Sequence, residues 1–417
     1  TMAQLHKKFS DEQVKAILKN YLDGLMTREH AQDLLGISKS RFFALLGNYR
    51  KDPVGMSIAY QRKSSERIGV EVDQLIRQEL GRERALIENK DLPITSYNYT
   101  ALRDRLQQKG FRVSLPTIIK RAKEEGCYRP RRKQKVHDRE VITSAIGEMI
   151  QHDASLHKWS PYAAEKWVLI TSLDDYSRKL LFAEFFPGES SWAHIQAAQE
   201  VLVKNGLPVR YYVDNLRVFR FVQNRDSVWR NHVLQTDDAD PQWRQVMRSL
   251  KIDVTYALSP QAKGKIERPF RWLQDRIVRT CALEGISSFE DARLVLQAEV
   301  ERYNNRQVHS TTGEIPAMRF DRAKATGNTL FRPFVLPKPF TSLKDVFCLR
   351  ATRTLNGYRK ISLAGVQIEI PKVPIREDVE LHMIPLESNL IEVRVWFENK
   401  MVHSFTLPAA KFRGVHC

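Results

Sequence analysis

Three acidic residues stand where they could do chemistry together. Asp153 follows the run Met149-Ile150-Gln151-His152 and precedes small polar residues; Asp214 ends the apolar run Tyr211-Tyr212-Val213. Glu267 lies in Lys263-Gly264-Lys265-Ile266-Glu267-Arg268, where a long helix begins. Carboxylates brought together repel one another unless a cation sits between them. Oxygen donors of this kind suit Mg²⁺ or Mn²⁺. Two such ions about 3.5–4 Å apart can activate an attacking hydroxyl and stabilise the leaving oxygen of a phosphoryl transfer. Asp and Glu are common, so spacing by itself does not single out these three. Asp174 and Asp175 are rivals for the first position, but they fall in Asp174-Asp175-Tyr176-Ser177-Arg178-Lys179, a hairpin turn. His152 flanks Asp153 on the opposite side of its strand and reads as packing. His157 could approach a reacting phosphate.

The pattern around these acids changes from helical period to strands near Glu148. A short strand leads into Asp153, and 167–173 and 180–186 are almost wholly apolar. A helix covers 191–204, a strand 209–213 runs into Asp214, and a last strand covers 252–257. Helices follow at about 264–280 and 288–304. Three antiparallel strands and then strand–helix alternation imply a mixed sheet with helices on both faces.

Charge sets the partner. The chain has 417 residues, with 67 Lys and Arg against 49 Asp and Glu, a net +18. That excess asks for a polyanion, nucleic acid or an anionic membrane surface. No apolar run is long enough to span a membrane, and the N-terminus has no apolar signal core. The four Cys are far apart, which excludes a disulfide scaffold and a zinc knuckle. A cytoplasmic, DNA-associated protein is expected.

Residues 10–46 read as three helices. Ser10 and Gln13 form a capping box, Gly24 and Gly36 punctuate, and Ser38 can cap the third helix. A helix–turn–helix of this kind presents Lys39, Ser40 and Arg41 to DNA. A second unit has helices over 70–80, 99–109 and about 115–125, the last capped by Ser114 and offering Thr117, Lys120 and Arg121. The basic run Arg129, Arg131, Arg132, Lys133 and Lys135 around Pro130 reads as a linker tracking phosphates. Beside Glu267, Lys263 and Arg271 lie four residues to either side. Lys265, Arg268, Arg276 and Arg279 add a basic surface that can hold DNA phosphates.

The segments QHDAS, YYVDN and SPQAKGKIERPFRWLQ resemble the three acidic motifs of the bacterial insertion-sequence transposases with a retroviral-integrase-like DDE core, related to phage Mu transposase. DDYSRK resembles that family's turn between its second and third strands, and YNNRQVHSTTGEIPAMRF (303–320) its segment after the core. The resemblance covers about 145–322. It implies that Asp153, Asp214 and Glu267 are catalytic and hold two Mg²⁺ or Mn²⁺ ions. It implies a ribonuclease H-like core, Mg-dependent 3′-end cleavage and strand transfer. The substrates implied are double-stranded DNA, both terminal repeats and target, with at least a dimer assembled on it. A helper ATPase is left open as a further partner. The family pattern also puts Asp174 and Asp175 away from the metals. One departure is the gap from Asp214 to Glu267, longer than the family's usual one; 222–248 reads as an inserted lid or helix.

Beyond a Pro-punctuated connector, six short strands from 346 to 406 read as a small barrel or sandwich. The expected architecture is multidomain: N-terminal all-α helix-turn-helix units, a central α/β ribonuclease H-like core and a C-terminal all-β barrel. The expected boundaries are 1–60, 61–128, a linker 129–144, a core 145–322, a connector 323–342 and a barrel with tail 343–417. Two other functions fit the pattern less well. A repressor with a decayed core would not need all three acids. A ribonuclease H-like nuclease that cuts without joining would not need tandem DNA-reading units.

Overall fold

The computed structural model describes residues 5–59, 68–130, 143–214, 241–257, 264–363 and 365–412. The chain divides into two compact units, Thr1–Asp73 and Gln74–Cys417.

The first unit is three helices: α1 (Asp11–Leu22), α2 (Arg28–Leu35) and α3 (Lys39–Lys51). The capping box forms as expected, with Ser10 Oγ accepting from the Gln13 N–H and Gln13 Oε1 from the Ser10 N–H. Gly36 ends α2 in the left-handed region at φ 63°, where a side chain would be strained. Ser38 occupies the N-cap position of α3 but makes no side-chain cap bond. Val14, Leu18, Ala31, Leu35, Phe42 and Leu46 close the core. Lys39, Ser40 and Arg41 remain exposed at the start of α3.

α4 (Val70–Glu88) starts four residues before the second unit and lies mostly within it, and α5 (Tyr99–Gln108) and α6 (Leu115–Glu124) follow. Ser114 caps α6 and Pro116 sits in its first turn, where a missing N–H costs nothing. Ile118 and Ala122 of α6 are buried with Ile76 and Leu80 of α4 and Leu102 and Leu106 of α5.

A five-stranded sheet follows, in the order β3-β2-β1-β4-β5. Its strands are β1 (Met149–His157), β2 (Trp167–Asp174), β3 (Leu180–Phe186), β4 (Arg210–Val213) and β5 (Asp253–Tyr256). The first three are antiparallel; β4 runs parallel to β1, and β5 parallel to β4. This is the mixed sheet that the pattern predicts. Alternation along β2 separates two cores. Val168 and Ile170 pack under α7 (Ser191–Asn205). Leu169 and Leu173 pack on the other face, under α9 (Gly264–Glu284) and α10 (Phe289–Asn305).

Two expectations change here. The end of the stretch read as an insertion is α8 (Gln242–Ser249), and it is a core element. Trp243, Val246 and Met247 are fully buried against Tyr211, Val213 and Ile252. A helix between two parallel strands is the connection such a pair requires. The rest, 222–240, lies outside the described residues.

The C-terminal strands are β6 (Leu349–Thr354), β7 (Lys360–Leu363), β8 (Val366–Glu369), β9 (Asp378–Pro385), β10 (Leu390–Phe397) and β11 (Lys400–Pro408). They pair as a four-stranded sheet, β11-β10-β9-β6, and a separate β7-β8 ribbon. Among the described residues hydrogen bonding does not close them into one barrel. They do not stand apart either: Val346, Leu381 and Val393 share one apolar cluster with Ile150, Leu202 and Trp243. Gln242 at the start of α8 clasps Arg350 of β6, donating to its carbonyl at 2.9 Å and accepting from its N–H at 2.6 Å. The expected connector is anchored too, because Arg332 and Leu207 exchange backbone hydrogen bonds at 2.7 and 2.9 Å.

Trp243 ties α8 to the sheet and to the C-terminal strands. Replacing it with Ala should cost about 3–5 kcal/mol, the usual range for a buried Trp. Urea unfolding of Trp243→Ala checks this; a cost below about 1 kcal/mol, as at exposed positions, would return α8 to a surface role.

Candidate active site

Parallel pairing of β1 with β4 sets the geometry of the acids. The register runs Met149↔Arg210, Ile150↔Tyr211 and Gln151↔Tyr212. Asp153 and Asp214 each lie two residues beyond that last pair, so they stand at the same level of neighbouring strands. Alternation also puts them on one face. Ile150 and His152 point toward α7, where His152 Nε2 meets His194 Nδ1 at 2.9 Å and the ring stacks on Trp243 at 5.8 Å. Asp153 has the opposite phase. It shares a face with His157, whose Nε2 accepts from the Gln274 amide of α9 at 2.9 Å. Asp214 has the phase of Tyr212, which packs with Met149 and Ala257, away from the α7 cluster. Both acids are half-buried.

Glu267 is exposed in the first turn of α9, the helix covering that face, and follows the fully buried Ile266. Pro269 stands two residues on, inside the helix. Having no N–H, it cannot bond the carbonyl four residues back, that of Lys265. The strands thus bring Asp153 and Asp214 together and direct them toward α9. Among the described residues, no group of three or more His, Cys, Asp or Glu side chains is gathered for a metal ion. Asp153 stands in the middle of β1, which runs on to His157 beyond the short strand expected, and Asp214 just past the end of β4; two carboxylates partly open to solvent still fit a hard cation.

Asp174 and Asp175 have other work. Asp174 is fully buried and accepts from the Gly147 N–H at 2.9 Å and from Ser177 through its N–H and hydroxyl. Burial raises its pKa. Asp175 accepts from Gln151, Arg178 and Thr143 at 2.6, 2.9 and 2.9 Å. These acids organise the turn and fasten it to β1. The hairpin turn expected there is present, but its two acids are buried and structural where turn acids more often face water.

The 303–320 segment proves to be the partner of that same turn. Asn304 donates to the Leu180 carbonyl and accepts from the Leu180 N–H, both at 2.9 Å. Arg319 donates to the Tyr176 carbonyl at 3.0 Å, and its guanidinium lies 4.2 Å from the Tyr176 ring centroid. Arg319 belongs to α11 (Pro316–Ala325). His309 is buried in the intervening loop, with Nδ1 accepting from the Thr311 N–H at 3.3 Å. Burial first, and then the charges of Arg178, Arg268 and Arg319, push its pKa down to about 4. Burial also lowers the pKa of His157, with Lys166 adding to the effect.

The expected DNA contacts fall into three groups. Lys39, Ser40, Arg41, Lys120, Arg129, Arg268 and Arg271 are exposed. Arg268 donates to Thr311 Oγ1 at 2.6 Å. Thr117 and Arg121 are half-buried; Thr117 bonds Ser114 Oγ, and Arg121 pairs with Glu124 at 3.1 Å. Arg131, Arg132, Lys133, Lys135 and Lys263, and the Lys265 side chain, lie outside what the structure describes. The basic surface expected along α9 is corrected at two positions. Arg276 is 3% exposed and Arg279 is 1% exposed, both committed to buried acids.

The chain is similar to bacterial insertion-sequence transposases. No family model matches it. A Sinorhizobium fredii protein, y4bF, whose name assigns it provisionally to the transposases, is 28% identical over 376 residues, 88% of this chain and 75% of that protein. The transposase for insertion sequence IS1202 of Streptococcus pneumoniae is 28% identical over 173 residues, 42% of this chain and 36% of the relative. Similar solved structures include a simian T-cell lymphotropic virus intasome in complex with a PP2A regulatory subunit (TM-score 0.36, 14% identity, 72% of this chain and 95% of that one). Another is the catalytic core of HTLV-2 integrase with magnesium (TM-score 0.31, 15% identity, 42% and 97%).

His309 supplies a pH test. Its folded pKa, about 4, lies below the roughly 6.5 of an unfolded histidine. As pH falls, the unfolded chain takes up this proton first. The stabilisation is therefore complete above about pH 6.5 and is lost as pH falls toward 4. Urea unfolding at pH 7 and pH 5 should show His309→Gln losing about 2 kcal/mol less than the unaltered protein over that interval. Equal losses would mean that His309 titrates normally.

Proposed function

We propose that the chain is a DDE transposase that binds the terminal repeats of its element, cleaves the 3′ end and joins it to target DNA. The observation that carries this reading is the placement of Asp153 and Asp214 at one level and on one face of adjoining parallel strands, under the helix that bears Glu267. Similarity to insertion-sequence transposases over most of the chain supports it. Divalent ions held by these three acids would supply activation of the attacking oxygen and charge stabilisation of the leaving one. The protein's own contribution is placement. Backbone pairing of β1 with β4 holds two carboxylates where separate loops could not. Asp175 accepts from Gln151, two residues before Asp153, and so steadies the strand. Arg268 and Arg271, exposed beside Glu267, would hold backbone phosphates near the acids.

Recognition is assigned to residues 1–135, with α3 and α6 as the reading helices. A chain of +18 repels its own copies. Assembly into at least a dimer should therefore depend on DNA neutralising that charge.

Asp153→Asn, Asp214→Asn and Glu267→Gln should each abolish Mg²⁺-dependent cleavage while end binding in a gel shift stays within about twofold. Cleavage by Asp153→Asn at the normal rate would remove it from the site. Labelled ends mixed with a target plasmid decide the reaction class: joined products mark a transposase, and nicks alone a nuclease. Binding should weaken steeply with salt, since phosphate contacts release counterions.

A further inference from the structure

We propose that the buried ionic junction between the second helical module and α9 is a ruler that sets the distance from bound DNA to the cut phosphodiester. The inference rests on the transposase reading above and adds a specificity-determining role for Arg276 and Arg279.

The junction is built from charges with little access to water. Glu83 of α4 and Arg279 of α9 pair with side chains each 1% exposed. Arg105 of α5 also donates to Glu83, at 2.7 Å. Arg279 donates further to the Ser96 carbonyl and to Asp275, both at 2.9 Å. Beside it, Arg276 donates to Asp104 of α5 at 2.7 Å and pairs with Glu299 of α10 at 3.4 Å. Asn98, which caps α5, bonds Asp275. Leu86, Leu92 and Ile94 pack against Val278 and Ala282 alongside.

Such a junction has one geometry. An apolar contact could slide by a fraction of a side chain, but sliding here would strand several buried charges without partners, which is strongly unfavourable. Both ends of the fixed body matter for DNA. One end is α6, with Lys120 and Lys123 exposed. The other is the first turn of α9, with Glu267. The twelve residues from Glu267 to Arg279 span about 18 Å of helix. DNA held by α6 therefore meets the acid-bearing end of α9 at a set offset.

The test uses the full chain in two variants. Asp104→Asn with Arg276→Gln removes one buried pair from both sides at once. Arg279→Gln with Glu83→Gln removes the other and serves if the first does not fold. Cut positions on end-labelled DNA are mapped at single-nucleotide resolution. In parallel, an iron chelate tethered at Leu294→Cys, an exposed position on α10, reports the DNA path by radical cleavage without the protein's own chemistry; Cys417→Ser accompanies it. The unaltered protein should cut one phosphodiester and give a narrow radical pattern. A folded variant should bind ends within about twofold, lose about tenfold of its cutting at the native position to neighbouring bonds, and give a broadened radical pattern. A variant that binds, cuts the native bond alone and keeps a narrow pattern would overturn the ruler. Absence of cutting by the unaltered protein would overturn the transposase reading; a broad radical pattern from that same protein would overturn the ruler on its own.

Discussion

The parallel ladder between β1 and β4 is the constraint on which the site depends. Because side chains alternate along each strand, a shift of one residue would turn one acid to the opposite face. The register is defended from several sides. His152 is buried between His194 and Trp243 on the α7 face. Gln151 is bound to Asp175 on the other. Tyr211 of β4 packs edge-on to Trp243 at 5.4 Å, so α8 senses both strands at once. The residues around Asp153 and Asp214 thus spend their chemistry on holding the strands.

Much of this was legible in the chain itself. The almost wholly apolar runs 167–173 and 180–186 and the acids ending two apolar runs predict a mixed sheet with paired carboxylates, and Ser10 with Gln13 predicts the capping box. What was hidden is long-range. Arg276 and Arg279 read as a basic helix surface because their acids, Asp104 and Glu83, are 172 and 196 residues away. No local pattern marks a charge as buried. That the helix around Trp243 belongs to the core was hidden by the length of the segment containing it. Asn304 gave a motif signal without a role, because its role is to satisfy one backbone unit, Leu180, far along the chain. The C-terminal strands were visible one by one, but strand pattern does not say which edges meet. The open four-stranded sheet and separate ribbon are decided by packing against α7 and α8.

The division of labour between the two ends of α9 follows from the same physics. Its later turns are clamped by buried ion pairs and apolar contacts, and substitutions there act on the whole unit. Its exposed face near Glu267 carries Arg268, bonded to Thr311 Oγ1, and Arg271, both open to solvent.

Pro269 adds a mechanical consequence. With the Lys265 carbonyl lacking its helical donor, the turn carrying Glu267 is joined to the rest of α9 by one hydrogen bond fewer than any interior turn. That turn is therefore held less by backbone bonds than by the side chains flanking Pro269, Ile266 and Phe270, which are buried in the core beneath it. The tip of the helix is thus pinned where the core sets it, and the freedom left to the Glu267 carboxylate is the rotation of its own side chain.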